Sequence, residues 1–176
     1  MPYIDVPEPD DVEGYVKEQM DLMARLTGGV SDTIKILGVR EDIMRATNGL
    51  IQTLLVSQTE LPYVTKERIA ILVSLENGCR ICVGEHQRVA RMLGFAEKEL
   101  EDILQGVEAL DAPDPEKKLL RLCVKSAKES YKVVQEDIDE LKELGYSDTQ
   151  ILEAIAVVGY FNYINTIANS LGCDEL

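Results

Sequence analysis

Along this chain apolar residues recur at three- and four-residue spacings, and no run of four to eight residues alternates apolar with polar cleanly enough to make a strand. The pattern predicts an all-α protein, a bundle of about seven to nine helices. Residues 1–9, with three prolines, read as an extended arm, and a first helix follows over residues 10–26, stopped by Gly28-Gly29. Ser31 is placed to cap a short helix to residue 37. Residues 41–59 then offer Ile43, Met44, Leu50, Ile51, Leu54 and Leu55 as a buried stripe up to the break at Pro62. Thr65 reads as the N-cap of a helix to residue 76, with Glu67 in its first turn and Ile69, Leu72, Val73 and Leu75 inward.

Asn77-Gly78 interrupts the pattern. A new helix is predicted from Cys79 to residue 92, and others over residues 97–110, 116–133 and 135–144. Ser147 and Asp148 cap a last helix over residues 149–171, whose Ile155, Val158, Phe161 and Ile164 read as core. We divide the chain into an N-terminal arm with the first helices (residues 1–39) and a helical domain (residues 40–176) that together form one structural domain.

Composition narrows the function classes. With 45% apolar and 28% charged residues, the chain can build a core rather than stay disordered. Its 32 acidic against 18 basic residues give a net charge of −14, which repels phosphate backbones, so nucleic acid is not an expected partner. The longest apolar run, residues 154–161, is too short to span a membrane, and the acidic, proline-containing N-terminus lacks signal-peptide character, so a cytoplasmic protein with no membrane partner is expected. The acidic surplus reads as solubility.

Four cysteines are too few and too unevenly spaced for a disulfide scaffold, but Cys79 and Cys82 form a C-x-x-C pair followed four residues later by His86, the only histidine. Positions i, i+3 and i+7 share one helical face, so both sulfurs and the imidazole are brought together. A disulfide between i and i+3 is feasible at a helix start. Cys79 gains most from the amide dipoles of the first turn, while Cys82 lies one turn from an imidazole able to take its proton, so on this ground either could be the thiolate. Folding back at Asn77-Gly78 could set Glu67 beside His86, where a carboxylate would orient the ring and stabilise its cation.

The run Glu67, eleven residues, Cys79-x-x-Cys82-x-x-x-His86 resembles the alkyl hydroperoxidase D-like (AhpD-like) branch of the carboxymuconolactone decarboxylase family, in its peroxidase-related members. The likeness extends loosely from about Arg40 to the C-terminus and includes Asn77-Gly78 and the tail segment YFNYINTIANSLG; residues 1–39 have no clear counterpart. Thr166 stands where Arg is common, and Ile81 where some members carry His.

The resemblance implies a helical homo-oligomer (dimer, trimer or hexamer) that reduces hydroperoxides with its cysteine pair and needs no metal or flavin. By that analogy Cys82 attacks the peroxide and becomes a sulfenic acid, Cys79 resolves it as a disulfide, and His86 and Glu67 relay the proton. A dithiol donor, a lipoylated or thioredoxin-like protein, would regenerate the pair. General thiol–disulfide exchange and a redox- or zinc-binding module, with Glu67 and His86 completing a ligand set, are the alternatives. Cys123 reads as core, Cys173 as a bystander, and Glu76 and Glu85 as solvated charges.

Overall fold

The computed structural model describes residues 1–173. Among them nine α-helices and no strand are found: α1 (Gly14–Thr27), α2 (Asp32–Gly38), α3 (Glu41–Ile51), α4 (Tyr63–Glu76), α5 (Arg80–Met92), α6 (Glu97–Leu104), α7 (Asp114–Glu129), α8 (Gln135–Glu143) and α9 (Asp148–Ser170). Single 3-10 turns occur at residues 9–11, 107–109 and 130–132.

The centre is α4. Its stretch Ile69, Ala70, Ile71, Leu72 and Val73 is apolar and buried all round, so it must be covered on every side, and α5, α7 and α9 pack around the helix. The last helix is held at its start by a capping box, Ser147 Oγ accepting from the Gln150 N–H and the Gln150 side chain from the Ser147 N–H. By length and composition α9 could cross a membrane, yet half of its most apolar window is buried inside this protein, Val158, Phe161 and Ile164 among it, and the helix packs on α4 and α7. It is a core helix.

Several local expectations are corrected. Thr65 is not an N-cap: α4 starts two residues earlier, after Pro62, and the Thr65 hydroxyl donates to Glu116 Oε1 at 2.8 Å. Glu67 therefore lies beyond the first turn. The stripe expected over residues 41–59 is only partly used, because α3 sits at the edge of the bundle. Met44 is buried, Ile51, Leu54 and Leu55 are half-buried, and Ile43 and Leu50 are exposed. The segment also does not stay α-helical to residue 59; Gln52–Val56 widens into a π-helical turn. Ser31 stands at the N-cap of α2, but its hydroxyl makes no capping bond. The other boundaries agree within a few residues, as helix ends do; residues 97–110 hold α6 and then a 3-10 turn.

A buried ion pair fixes the approach to α4. Lys66, 1% exposed, meets the Glu153 carboxylate on α9 at 2.9 Å, and Glu153 also accepts from the Thr59 hydroxyl and from the N–H groups of Glu60 and Leu61. The N-terminal arm is tied down too: the Tyr3 N–H donates to the Leu171 carbonyl, Glu8 pairs with Lys35, and the Tyr3 ring lies over Gly172, where any β-carbon would come within 2.5 Å of it.

Candidate active site

The site is built at the corner between α4 and α5. Asn77 ends α4, Gly78 turns the chain with φ +65°, a conformation glycine adopts without strain, and Cys79 becomes the N-cap of α5. The corner is clamped by three asparagines of α9. Asn77 Nδ2 donates to Asn162 Oδ1 (2.8 Å) and Asn165 Oδ1 (2.9 Å), while Asn169 Nδ2 donates to the Asn77 carbonyl (2.9 Å). Asn165 Nδ2 reaches Ser74 Oγ, and the Ser74 carbonyl accepts the Cys79 N–H. The bend is half-buried at Asn77 and exposed at Gly78, and these bonds tie the Asn77 amide and carbonyl and the buried Cys79 N–H to the protein.

Cys79 and Cys82 are joined by a disulfide with a Cα–Cα distance of 5.3 Å. Both are buried, in a small cluster with Ile81 and Ala168 against which Cys173 packs. Cys173 is thus close to the pair rather than remote from it, and its sulfur accepts from the Thr33 hydroxyl at 3.6 Å. Cys123 lies in the main core, where burial pushes its thiol up to about 12. Glu85 is half-buried, and Glu76 pairs with Lys128. Among the described residues no three of His, Cys, Asp and Glu converge as a metal ion would require.

The fold-back at Asn77-Gly78 brings Glu67 to His86, with Nδ1 and Oε2 2.7 Å apart. The imidazole and Phe161 rings meet edge to face, their centroids 4.7 Å apart. With Nδ1 held by a carboxylate, Nε2 is the nitrogen left for chemistry. Burial alone would lower the imidazole pKa, but the Glu67 charge and hydrogen bond outweigh it, with a smaller contribution from Glu85, so the net shift is upward from 6.5. Because folding raises this pKa, the pair adds stability that is full below about pH 6.5 and is lost as pH climbs through the folded value. As the only histidine, His86 gives a single imidazole signal in NMR. It should titrate above 6.5 in the wild type and move down in Glu67→Gln; an unchanged midpoint in that variant would refute the pairing.

The residues overlooked in the sequence are Asn162, Asn165 and Asn169. Their spacing of three and four put them on one face of α9, and an amide face on an otherwise apolar helix was the available signal.

A cavity of about 510 Å³ opens beside the disulfide, with Leu75, Cys79, Arg80, Gly84 and Arg88 among its walls.

Comparison with known proteins adds three findings. The carboxymuconolactone decarboxylase family model matches residues 41–123. No curated protein matches the chain. Among solved structures, an uncharacterized peroxidase-related protein from Ralstonia eutropha JMP134, described as an alkylhydroperoxidase AhpD core, superposes with a TM-score of 0.91 at 22% identity over 99% of this chain and 92% of its own. A peroxidase-related protein from Silicibacter sp. TM1040 gives 0.90 at 20% identity, over 98% and 91%. A cysteine-to-alanine variant of the debrominase Bmp8, in complex with 2,3,4-tribromopyrrole, gives 0.85 at 16% identity, over 99% and 91%. The fold is that of the AhpD core. The likeness takes in residues 1–39, for which the sequence offered no counterpart.

Proposed function

We propose, from the premise that residues 41–123 place this chain in the carboxymuconolactone decarboxylase family, that it is a thiol-dependent peroxidase working through Cys79 and Cys82. The observation that carries the reading is the bond between Glu67 and His86, set one helical turn from Cys82. A carboxylate-held imidazole takes the proton of the Cys82 thiol and, as the cation, stabilises the thiolate. The thiolate attacks the outer peroxide oxygen, the O–O bond breaks, and the departing alkoxide receives the proton from the imidazolium. Cys82 is then a sulfenic acid. The Cys79 thiol displaces its hydroxyl as water and forms the disulfide, the oxidised state of the cycle. Two electrons pass from the cysteine pair to the peroxide, and a thiol donor restores them.

The cycle calls for a reducing compartment such as the cytoplasm. Division into an arm with first helices (residues 1–39) and a helical domain (residues 40–176) within one structural domain belongs to the same proposal. So does assembly into a homo-oligomer. The exposed side chains of Ile43, Leu50 and Val56 support it, and light scattering showing a monomer at micromolar concentration would remove that part.

The test is anaerobic mixing of the reduced protein with an alkyl hydroperoxide. One peroxide should be consumed per disulfide formed, faster than by free cysteine at the same pH. Oxidation no faster than free cysteine would overturn the reading.

A further inference from the structure

We infer that the cavity beside Cys79 is the port through which a small thiol carrying a negative charge docks and reduces the Cys79–Cys82 disulfide. The inference rests on the dithiol cycle proposed above and names its electron donor by chemical class.

The two sulfurs have different surroundings. Cys79 is part of the cavity wall and Cys82 is not, whereas Cys82 lies one turn before His86 on α5. A thiolate docked in the cavity is therefore next to Cys79, and the sulfur it expels belongs to the residue one helical turn from His86. The volume, about 510 Å³, suits a small molecule. Leu75, Ile81 and Val83 give the cavity apolar walls. A β-carbon added at Gly84, inside α5, would meet nothing within 4 Å, so this glycine leaves room where any other residue would project a side chain.

Charge specifies the ligand class. The chain carries −14, so its overall field favours cations, yet none of the described residues lining the cavity is acidic and two, Arg80 and Arg88, are basic. A thiol bearing a carboxylate is drawn to the Arg88 guanidinium while its apolar stem lies against the leucine and valine walls. Cys79 has no exposed surface of its own, which makes docking a requirement. A thiol that merely collides finds the sulfur closed. One held in the cavity is present whenever the first turn of α5 opens.

The chemistry balances. The thiolate bonds to the Cys79 sulfur, the Cys79–Cys82 bond breaks, and its electron pair leaves on Cys82 as a thiolate opposite the imidazolium. A second thiolate attacks the docked sulfur and releases the donor as its own disulfide, leaving the Cys79 thiolate. Two thiols lose two electrons and the protein disulfide gains them.

The test compares reduction of the oxidised protein by 3-mercaptopropionate, 2-mercaptoethanol and cysteamine, at low salt, with rates corrected for each thiolate fraction. The anionic thiol should react fastest, by at least about fivefold over the neutral one, with a rate that saturates. Quenching with a maleimide should leave the mixed disulfide on Cys79 and the maleimide on Cys82. In Arg88→Glu the preference should vanish or invert. Gly84→Leu, which fills the cavity from a position with open space around it, should abolish saturation. The inference is overturned if cysteamine is fastest, if the preference survives Arg88→Glu, or if the adduct maps to Cys82. Oxidation of the reduced protein by peroxide is followed separately. If peroxide fails to oxidise it while the anionic preference holds, the peroxidase reading falls and the port stands as a thiol–disulfide exchange site; the converse result removes the port alone.

Discussion

Reduced Cys82→Ser is expected to react with an alkyl hydroperoxide at least about a thousandfold more slowly than wild type, because it loses the proposed nucleophile. Cys79→Ser should keep the first step and stall at the second, accumulating a sulfenic acid on Cys82 that a dimedone adduct reveals by mass spectrometry. The asymmetry follows from position. Cys79 is the N-cap of α5, while Cys82 is inside the helix, one turn before the imidazole that Glu67 holds at 2.7 Å. His86→Ala should slow the step by roughly a hundredfold or more, the usual worth of a positioned acid–base group. If Cys82→Ser oxidises at the wild-type rate, or the adduct of the other variant lies on a different cysteine, the assignment of roles fails.

Glu153→Gln should lose about 3–5 kcal/mol of stability in urea denaturation, because it leaves the Lys66 charge uncompensated at 1% exposure, with only the neutral Thr59 hydroxyl and Ser57 carbonyl as remaining acceptors. Lys66→Met should cost less. It leaves a carboxylate that still accepts from the Thr59 hydroxyl and from the amides of Glu60 and Leu61. The pH dependence has a definite sign. Burial pushes the Glu153 pKa up, but the hydrogen bonds from Thr59 and Lys66 prevail and hold it below 4.5. Its contribution is therefore full above about pH 4.5 and is lost as pH falls through the lower folded value. Equal losses in the two variants, or a loss under 1 kcal/mol in Glu153→Gln, would refute this account. The pair matters to the site because Lys66 precedes Glu67 on α4: anchoring one to α9 helps fix the position from which the other reaches α5.

What the sequence made legible was what local chemistry determines. Apolar spacing located the helices, and Ser147 with Gln150 supplied a capping box readable three residues apart. The C-x-x-C-x-x-x-H run and the break at Asn77-Gly78 marked the corner where the site lies, and the distance from Glu67 to that break allowed the fold-back. Contacts between distant segments were not legible. Thr65 looks like a cap because threonine often is one, yet Pro62 had already started the helix and Glu116 took the hydroxyl. The stripe on α3 has the right period, but a period does not reveal which side the rest of the protein will cover, and Ile43 and Leu50 stay outside. Nothing local distinguishes Lys66 from the lysines in water. Its partner lies on α9, and only the assembled bundle brings the two together. The asparagines of α9 could be seen but not interpreted, since what they hold is a bend made by residues far earlier in the chain.

The covalent link between the sulfurs ties residues only three apart in sequence. On a chain-entropy basis so small a ring restrains the unfolded chain by about 2 kcal/mol, less than half of what a bridge across a hundred residues would supply. No two helices depend on it to stay together, since α4, α5, α7 and α9 already meet through a continuous hydrocarbon interior. In the proposed cycle the two electrons are exchanged within one turn of α5, so hydrodynamic radius and helix content are expected to be the same in the reduced and oxidised forms, and whatever tells its charged from its spent form must inspect one turn of one helix.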